Sequence, residues 1–559
     1  MAEAVETPDR GPLRRAAAAF LPLGLLLAAI FFAAALTPSL VPRTPLLQGA
    51  LGGLLAAVGY EIGGLLAWLW RFLELPRPAG RAAFWSRAAA SFAAAAIAGY
   101  GLARAAEWQN ATRRAFDLPP VETSHPLTVA VVALAVFLAL WALFRAFGLL
   151  RRRLDRQASR LLPRRIARAL GFAAALWLFW AAIDGVLVRR LFEAADASFA
   201  AADALIEPDL PAPTDPMKTG GPGSLVQWDA MGRWGRAFVA TAPTREEIAA
   251  FAGPSARDPV RVYVGRRAAD TARARAALAV AELERQGVFE RSALVVVVPV
   301  GTGWMDPGAH DTLDFMLGGD VATVAVQYSY LTSVLSLLAH PEYGVEQARE
   351  LFDAVYRRWS ALPPDARPRL YVHGLSQGAF NSQATLPLLD MLADPIDGAM
   401  WAGSPFFAPY WRLVRERRKP GSPAWRPAFG NGSLARSLTQ FGGLEGDFAP
   451  WGPVRLVFLN HGSDPIVVFN WGSAWARPDW MEGPRAPDVA PELGWFPIVT
   501  TVQLGLDSAN SLAKAGFGHA YVAPEYIEAW AAVVDPPGWS PERAAALKAI
   551  FEDRPGPFD

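Results

Sequence analysis

The chain has 559 residues, of which 52% are hydrophobic and 19% are charged, and its formal net charge at pH 7 is +1. This length exceeds one ordinary hydrophobic core, so we expect two or more domains. The near-zero net charge gives no case for nucleic-acid binding. Because the sequence contains no Cys, disulfides, thiolate metal sites and a cysteine nucleophile are excluded.

Five apolar runs precede residue 190, each near the length of about 20 residues that crosses a bilayer as a helix. They predict an all-α transmembrane bundle of about five spans over residues 1–190. The third run is the weakest, because arginines bracket it closely. The first could instead be a signal peptide, although its length and the four later runs favour an uncleaved helix. The runs cover residues 16–36, 46–70, 83–103, 126–143 and 169–188.

The distribution of arginine predicts the orientation of the bundle. Arginines are dense before the first run, between the second and third, and between the fourth and fifth, whereas the other loops carry few. Positively charged loops stay on the cytoplasmic side. The N-terminus is therefore predicted inside and everything after residue 188 outside, and losing one span would reverse this prediction.

The second run contains two features beyond its hydrophobicity. Gly59 and Gly63 have the small-xxx-small spacing that lets helices approach closely, either within one chain or in a homo-oligomer. Glu61 lies in the middle of the run, and an acidic residue inside a membrane is a functional candidate. A carboxyl hydrogen-bonded within the bundle is the alternative that we favour.

The rest of the chain has the pattern of an α/β domain. After a connecting helix and a Pro/Gly-rich linker at 191–225, short β-branched runs alternate with helical patterns over 226–559. This alternation predicts a mostly parallel, doubly wound sheet. The rhythm lapses at 405–453, which we interpret as an insertion or lid. The predicted strands are 260–265, 293–300, 321–329, 369–374, 398–404 and 454–462.

The stretch YVHGLSQGAF, residues 371–380, contains a G-x-S-x-G pattern. The pattern alone is weak, because small residues often occur together in loops. A nucleophile on a sharp turn requires a strand before it and a helix after it, and RLYV and a helical pattern flank Ser376 in this way. We therefore predict that Ser376 is a nucleophile, with an ordinary loop serine as the alternative.

A serine hydroxyl needs a base, and the base needs an orienting acid. Of the six histidines, His519 in GFGHAY lies well downstream of Ser376, near the C-terminus. VRLVFLNHGSDPIV predicts a strand and a turn that carries Asp464. The order Ser376, Asp464, His519 is that of α/β-hydrolases. Asp507 is the alternative acid, although it falls in a helical pattern.

An oxyanion hole needs two backbone N–H donors. The amide of Gln377 is the first candidate, because it directly follows the nucleophile. The second should follow the strand 293–298, where PVGTGWMDPG brings Gly301 and Thr302. A plain glycine turn is the alternative. The spacing does not fit a phosphate-binding loop, and no Lys follows.

Aromatic residues near the predicted strand ends suggest an apolar substrate, since ligands bind at such ends in this class of fold. Trp304, Trp401 and His461 are the candidate substrate contacts. Packing in the core is an equal alternative for the tryptophans, and His461 could instead support the site from behind.

Several stretches together resemble a bacterial family of membrane α/β-hydrolases with an N-terminal multi-span domain. These are LTPSLVPR, SLVQWDAMGRWGRAFVA, VVVVPVGTGWMDP, VAVQYSYLTSVLSLL, RPRLYVHGLSQGAF, HGSDPIV and GFGHAY. The resemblance spans nearly the whole chain and implies a serine-hydrolase fold with Ser376, Asp464 and His519 as partners. In this family an acidic residue and a leucine often flank the serine, whereas here Leu375 and Gln377 do, which could shift substrate preference.

These observations predict a serine hydrolase of the bacterial inner membrane, with an extracytoplasmic domain that cleaves carboxylic esters, lipid or lipophilic, through an acyl-enzyme. The predicted partners are the bilayer and the ester substrate, and the chemistry needs neither metal nor cofactor. Acyl transfer or peptide cleavage by the same triad, and a non-catalytic membrane scaffold or sensor, are the alternatives.

Overall fold

The computed structural model describes residues 21–182, 189–333, 335–336, 341–386, 391, 393–552 and 554. The chain divides into two compact units. Two short segments from the later part of the chain belong with the N-terminal helices rather than with the α/β domain. Unit 1 comprises Met1–Ala182, Trp471–Arg477 and Val489–Asp507, and unit 2 comprises Ile183–Asn470, Pro478–Asp488 and Ser508–Asp559.

Unit 1 is built around apolar helices. Proline occupies the first turn of three of them, where its missing N–H costs no helical hydrogen bond. The helices are α1 (Pro22–Ala35), α2 (Pro45–Phe72), α3 (Gly80–Ala115), α4 (Pro126–Ala158) and α5 (Arg164–Ala182).

Within the described residues, three helices are long and apolar enough to cross a membrane, namely α2, α3 and α4. They confirm the second, third and fourth predicted runs. The first run is represented by α1, a shorter apolar helix of 14 residues, and residues 16–20 of that run lie outside the described part. The fifth run coincides with α5 up to Ala182, and its remaining residues, 183–188, also lie outside it.

The glycines of α2 pack against α1 inside unit 1. A Cβ atom at Gly63 would lie 2.6 Å from the Cα atom of Gly24, and one at Gly59 would lie 2.6 Å from the carbonyl oxygen of Leu27. These distances are far below van der Waals contact, so only glycine permits this helix crossing. The small-xxx-small spacing therefore serves packing within one chain.

Unit 2 contains a seven-stranded parallel sheet in its described residues, in the order β1-β3-β2-β4-β5-β7-β6. Every residue of β2 is buried, as its continuous apolar run predicts. The structure confirms the six predicted strands and adds β6, which lies in the predicted insertion. The strands are β1 (Val260–Val264), β2 (Ala293–Val298), β3 (Val321–Val326), β4 (Arg369–Leu375), β5 (Gly398–Ala402), β6 (Ala435–Leu438) and β7 (Arg455–Leu459).

The remaining helices of the chain include one between each pair of successive strands from β1 to β6, as parallel connections require. In chain order they are α6 (Arg189–Ala204), α7 (Gly232–Ala240), α8 (Arg245–Ala252), α9 (Ala272–Arg285), α10 (Pro307–Met316), α11 (Pro341–Ser360), α12 (Gln377–Thr385), α13 (Pro409–Glu416), α14 (Pro465–Val468), α15 (Val499–Ala509), α16 (Ala523–Val534) and α17 (Pro541–Glu552). Most of α15, as far as Asp507, belongs to unit 1.

The strand register aligns the carboxyl ends of the central strands. Val298 of β2 pairs with Gly374 of β4, and Leu375 pairs with Ala402 of β5, which in turn pairs with Leu459 of β7. The loops that follow β2, β4, β5 and β7 therefore leave the sheet at one edge. That edge is where ligands bind in open parallel sheets.

Candidate active site

Ser376 lies on the turn between β4 and α12, with φ of 57° and ψ of −122°. A positive φ is rare for a residue with a side chain and persists only where the surrounding structure enforces it. Here the enforcing contacts include a hydrogen bond from the Ser376 amide to the carbonyl oxygen of Ala402, 3.0 Å away. The turn gives Ser376 the position and backbone conformation predicted for a nucleophile.

The two glycines of the motif make this turn sterically possible. A Cβ atom at Gly374 would lie 2.5 Å from the carbonyl carbon of Gly378, and one at Gly378 would collide with the carbonyl oxygen of Val298. The first contact closes the turn on itself, and the second brings the end of β2 against the start of α12. Any side chain at these positions would push the elements apart.

His519 and Asp464 meet at the same edge of the sheet. Nδ1 of His519 lies 2.6 Å from Oδ2 of Asp464. Asp464 follows β7 and caps α14, where its Oδ1 accepts a hydrogen bond from the amide of Ile466 at 2.9 Å. The carboxylate is fully buried, and these donors replace the water that it loses.

The second ring nitrogen of His519, Nε2, is buried and has no hydrogen-bond partner among the described residues. The ring packs against Gly403, since a Cβ atom there would collide with Cε1 of His519. Gly403 follows Ala402, whose carbonyl oxygen binds the amide of Ser376. The turn after β5 thus contacts the backbone of Ser376 on one side and the ring of His519 on the other. Within the described residues, no hydrogen bond joins Nε2 of His519 to the hydroxyl of Ser376.

Tyr521 completes the surroundings of Asp464, and the sequence reasoning missed it. Its hydroxyl donates a hydrogen bond of 2.8 Å to Oδ2, the same oxygen that His519 contacts. Burial raises the pKa of Tyr521 well above its usual value, and the nearby charge of Asp464 raises it further. The signal available in the sequence was its position two residues after His519, on the same loop.

His461 lies behind this pair rather than on an open surface. It is fully buried. Its Nδ1 lies 2.9 Å from the carbonyl oxygen of Gly518, and its Nε2 lies 3.0 Å from Oε2 of Glu525. Burial alone would lower the pKa of His461, but the charge and hydrogen bond of Glu525, together with the charges of Asp488 and Asp464, outweigh it, so the pKa is raised. Since both ring nitrogens are occupied, the structure gives His461 a supporting place, not the predicted place against substrate.

The candidate oxyanion donors lie on two segments, the start of α12 and the loop after β2. Gln377 begins α12, so its amide belongs to the positive end of that helix. The amide of Gly301 donates to Oγ of Ser333 at 3.2 Å. The carbonyl oxygen of Thr302 accepts a hydrogen bond of 3.0 Å from Nε2 of Gln327, which fixes the loop that carries it.

The two tryptophans predicted to contact substrate, and two further exposed ones, lie in three different environments. Trp304 is half-buried in the loop after β2. Trp401 is fully buried within β5, where its Nε1 donates to Oγ of Ser382 at 2.9 Å, so it belongs to the core. Trp471 and Trp475, at 67% and 74% exposure, belong to unit 1.

A cluster of phenylalanines lies on segments that follow the strand ends, one of them on α12 directly after Ser376. Phe380 is one turn into α12, and its ring centre is 4.8 Å from that of Phe407, which follows β5. Phe406 lies 4.9 Å from Phe407 and 5.0 Å from Phe469, which follows α14. The sequence indicated the pair 406–407 only as part of an insertion, although it directly follows a strand end.

Asp507, the alternative acid, lies in unit 1 and has a different partner. Nε of Arg43 lies 2.7 Å from Oδ1 of Asp507, and both side chains are almost completely buried. Ser39 and the amide of Leu40 donate to the other oxygen. All three residues on the N-terminal side come from LTPSLVPR, so this stretch forms a buried polar contact within unit 1.

A parallel sheet with its central strands in the order β2-β4-β5-β7, a serine on a strained turn after β4 and helices between the strands defines an α/β-hydrolase fold. The chain belongs to the alpha/beta-hydrolase family: the family model matches residues 260–547. A second model, of the alpha/beta-hydrolase family N-terminus, matches residues 36–243 and so covers most of the apolar helices. No curated protein and no solved structure matches the chain.

Proposed function

We propose that the protein is a membrane-anchored serine hydrolase that cleaves carboxylic esters through a Ser-His-Asp triad. The observation that carries the proposal is the state of His519. One ring nitrogen is bound to a buried carboxylate. The other has no partner in the described part of the chain, at the sheet edge that also carries Ser376. An imidazole held in this way is prepared to accept a proton.

In the proposed reaction, Oγ of Ser376 attacks the acyl carbon and its proton passes to Nε2 of His519. Asp464 keeps the proton of Nδ1 in place and stabilises the imidazolium that forms. Collapse of the tetrahedral intermediate breaks the ester bond, and the alcohol leaves with the proton from His519. Water then repeats the cycle on the acyl-enzyme. In free enzymes, the hydrogen bond between the nucleophile and the general base is often long, and it shortens when substrate binds.

The oxyanion would be stabilised by backbone amides on either side of the nucleophile. Gln377 supplies one, aided by the positive end of α12. Because Gly301 already donates to Ser333, we propose Thr302 as the source of the second. The contact of Gly378 with Val298 supports this choice, since it brings the end of β2 close to the start of α12.

A lipophilic acyl group is the substrate that the surroundings favour. Phe380, Phe406 and Phe407 are half-buried and follow the strand ends next to Ser376. Aromatic rings of this kind supply a large apolar surface for an alkyl chain. The three long apolar helices of unit 1 indicate membrane association, which would place the enzyme near lipids. Trp471 and Trp475 fit the aromatic belt at a membrane interface.

The assay uses nitrophenyl esters of increasing chain length, with full-length protein in detergent. We expect wild type to hydrolyse them, with a higher kcat/KM for medium or long chains than for acetate, and a fluorophosphonate probe to label Ser376. The variant Ser376→Ala is the control and should be silent in both measurements. Wild type that neither hydrolyses any ester nor reacts with the probe would overturn the proposal in favour of a non-catalytic scaffold.

We further propose the orientation that the arginines indicate, with unit 2 outside the cytoplasm of a bacterial cell. Since the chain has no Cys, single cysteines report cleanly on accessibility. Ser255→Cys in unit 2 and Ala79→Cys between α2 and α3 replace exposed residues. A maleimide that does not cross membranes should label the first in intact spheroplasts and the second only after lysis. The reverse pattern would put the hydrolase in the cytoplasm.

A further inference from the structure

The buried acid of the proposed triad is held by more than its histidine. Oδ2 of Asp464 accepts hydrogen bonds both from His519, at 2.6 Å, and from the hydroxyl of Tyr521, at 2.8 Å. Oδ1 accepts a hydrogen bond from the amide of Ile466. Among the described residues, no Arg or Lys forms an ion pair with this carboxylate, so its orientation depends on these three donors.

Tyr521 is itself rigidly placed. It is 1% exposed, and its ring centre lies 4.3 Å from that of His461. The amide of His461 donates to the Tyr521 hydroxyl oxygen at 3.4 Å, which leaves the hydroxyl proton directed to Asp464. A buried tyrosine usually finds a partner for its O–H, but here the partner is the oxygen that orients the predicted base.

We infer that Tyr521 is a positioning residue: its hydroxyl fixes the Asp464 carboxylate in the orientation that holds His519 towards Ser376. This inference rests on the proposed function. The rotation of a carboxylate about its Cβ–Cγ bond is soft. A second donor on Oδ2 removes that freedom, and it also withdraws part of the negative charge that Asp464 presents to the imidazole.

The chain supplies a matched control five residues further on. Tyr526 is also fully buried, and its hydroxyl donates to a buried carboxylate, that of Asp306, at 3.0 Å. Tyr526→Phe therefore removes the same kind of hydrogen bond from the same neighbourhood, but from an acid that does not contact His519. Any loss that follows simply from breaking a buried tyrosine–aspartate bond should appear in both variants.

The test compares wild type, Tyr521→Phe, Tyr521→Leu and Tyr526→Phe as full-length proteins in detergent. Fluorophosphonate labelling taken to completion counts the folded sites, and kcat is expressed per labelled site. We expect Tyr521→Phe to lower kcat per site about tenfold with KM unchanged, the size of effect that one lost hydrogen bond to a charged group gives. We expect Tyr526→Phe to leave kcat per site unchanged.

The pH profile adds a readout that packing alone would not change. Without the tyrosine hydroxyl, Asp464 offers its full charge to His519, and the proton on the imidazolium is held more tightly. The acid limb of kcat/KM should therefore move to higher pH in Tyr521→Phe and stay in place in Tyr526→Phe. The low-field proton resonance of the His519 Nδ1–H should shift in the first variant only.

Two results would overturn the inference. One is a Tyr521→Phe variant with wild-type kcat, pH profile and resonance while Tyr521→Leu is impaired, which would leave the ring with a packing role only. The other is an equal loss in Tyr526→Phe. If wild type hydrolyses no ester and Ser376 stays unlabelled, the proposed function fails instead, and the resonance decides the role of Tyr521 by itself.

Discussion

Nδ1 of His519 lies 2.6 Å from Oδ2 of Asp464, although the two residues are 55 positions apart in the chain. Between them the chain leaves unit 2 twice, since Trp471–Arg477 and Val489–Asp507 belong to unit 1. Along the sequence, the acid therefore precedes and the base follows two segments that fold with the apolar helices.

Asp464→Asn should abolish most activity without unfolding the protein. The amide can donate to Nδ1 of His519 and thereby favour the wrong tautomer, an effect that lowers kcat by about 10⁴-fold in a well-studied serine protease. Asp488→Asn is the matched control, because Asp488 is also fully buried but accepts from Ser463 and Gln440. Stopped-flow ester hydrolysis per labelled site measures both, and equal losses would contradict the assigned role.

Replacing Ser376 by glycine should stabilise the protein relative to replacing it by alanine. Both variants lose the nucleophile, but only glycine adopts the φ of 57° without strain. We expect the free energy of unfolding of Ser376→Gly to exceed that of Ser376→Ala by about 1 kcal/mol. This difference is the backbone strain that glycine relieves, minus the larger conformational entropy that glycine loses on folding. Denaturant titration followed by tryptophan fluorescence is the measurement. A lower stability for the glycine variant would mean that the turn stores no strain.

Gly403→Ala should impair catalysis more than stability, because the new Cβ atom would push against the ring of His519. Gly430→Ala is the control: its φ of 51° is similar to the 56° of Gly403, but nothing lies within 4 Å of the added atom. Both should lose about 1 kcal/mol of stability from the backbone conformation. Only Gly403→Ala should lose kcat, by about 100-fold for a displaced general base. A wild-type kcat in Gly403→Ala would contradict the assigned contact between Gly403 and a catalytic His519.

The stability of unit 2 should depend on pH through His461. Its pKa is raised, with burial opposing and Glu525, Asp488 and Asp464 favouring the charged form. Its contribution to the free energy of unfolding is then fully present below about pH 6.5, the pKa of an unfolded histidine, and is lost as pH rises through the higher folded value.

The difference in stability between wild type and His461→Gln isolates this contribution, and it should shrink from pH 6 to higher pH. The nearby Asp306, whose pKa burial raises to about 7, titrates in both proteins, so its effect cancels in the difference. Thermal unfolding at several pH values is the measurement. A difference that grows with pH would reverse the assigned sign.

Breaking the buried contact of Arg43 should destabilise unit 1. Arg43→Met leaves the carboxylate of Asp507 buried without its cation, at a cost of about 3–5 kcal/mol. The double variant Arg43→Met/Asp507→Leu removes both charges and should recover most of that loss. Denaturation in mixed micelles measures the three proteins, and a double variant worse than the single one would refute a simple ion-pair role.

The sequence alone determined the apolar helices, six of the seven strands and their order along the chain. Long apolar runs indicate helices in lipid, and short ones indicate strands buried on both faces. In each case every side chain of the element faces an apolar environment rather than water. The G-x-S-x-G pattern between a strand and a helix predicted the turn that carries Ser376. The order of residues along the chain then indicated Asp464 and His519 as its partners. These are local or ordinal features, and the structure has the corresponding strands and helices.

Only the tertiary structure decided which side chains share an environment. Trp401 lies in β5 and His461 follows β7, near the strand ends as predicted. Trp401 is nevertheless buried in the core, and Gly518 and Glu525 are hydrogen-bond partners of the two ring nitrogens of His461. Tyr521 reaches Asp464, and Asp507 reaches Arg43, across long sequence separations. Such contacts depend on strand register and on the path of the chain between units, and neither leaves a periodic or compositional trace in the sequence.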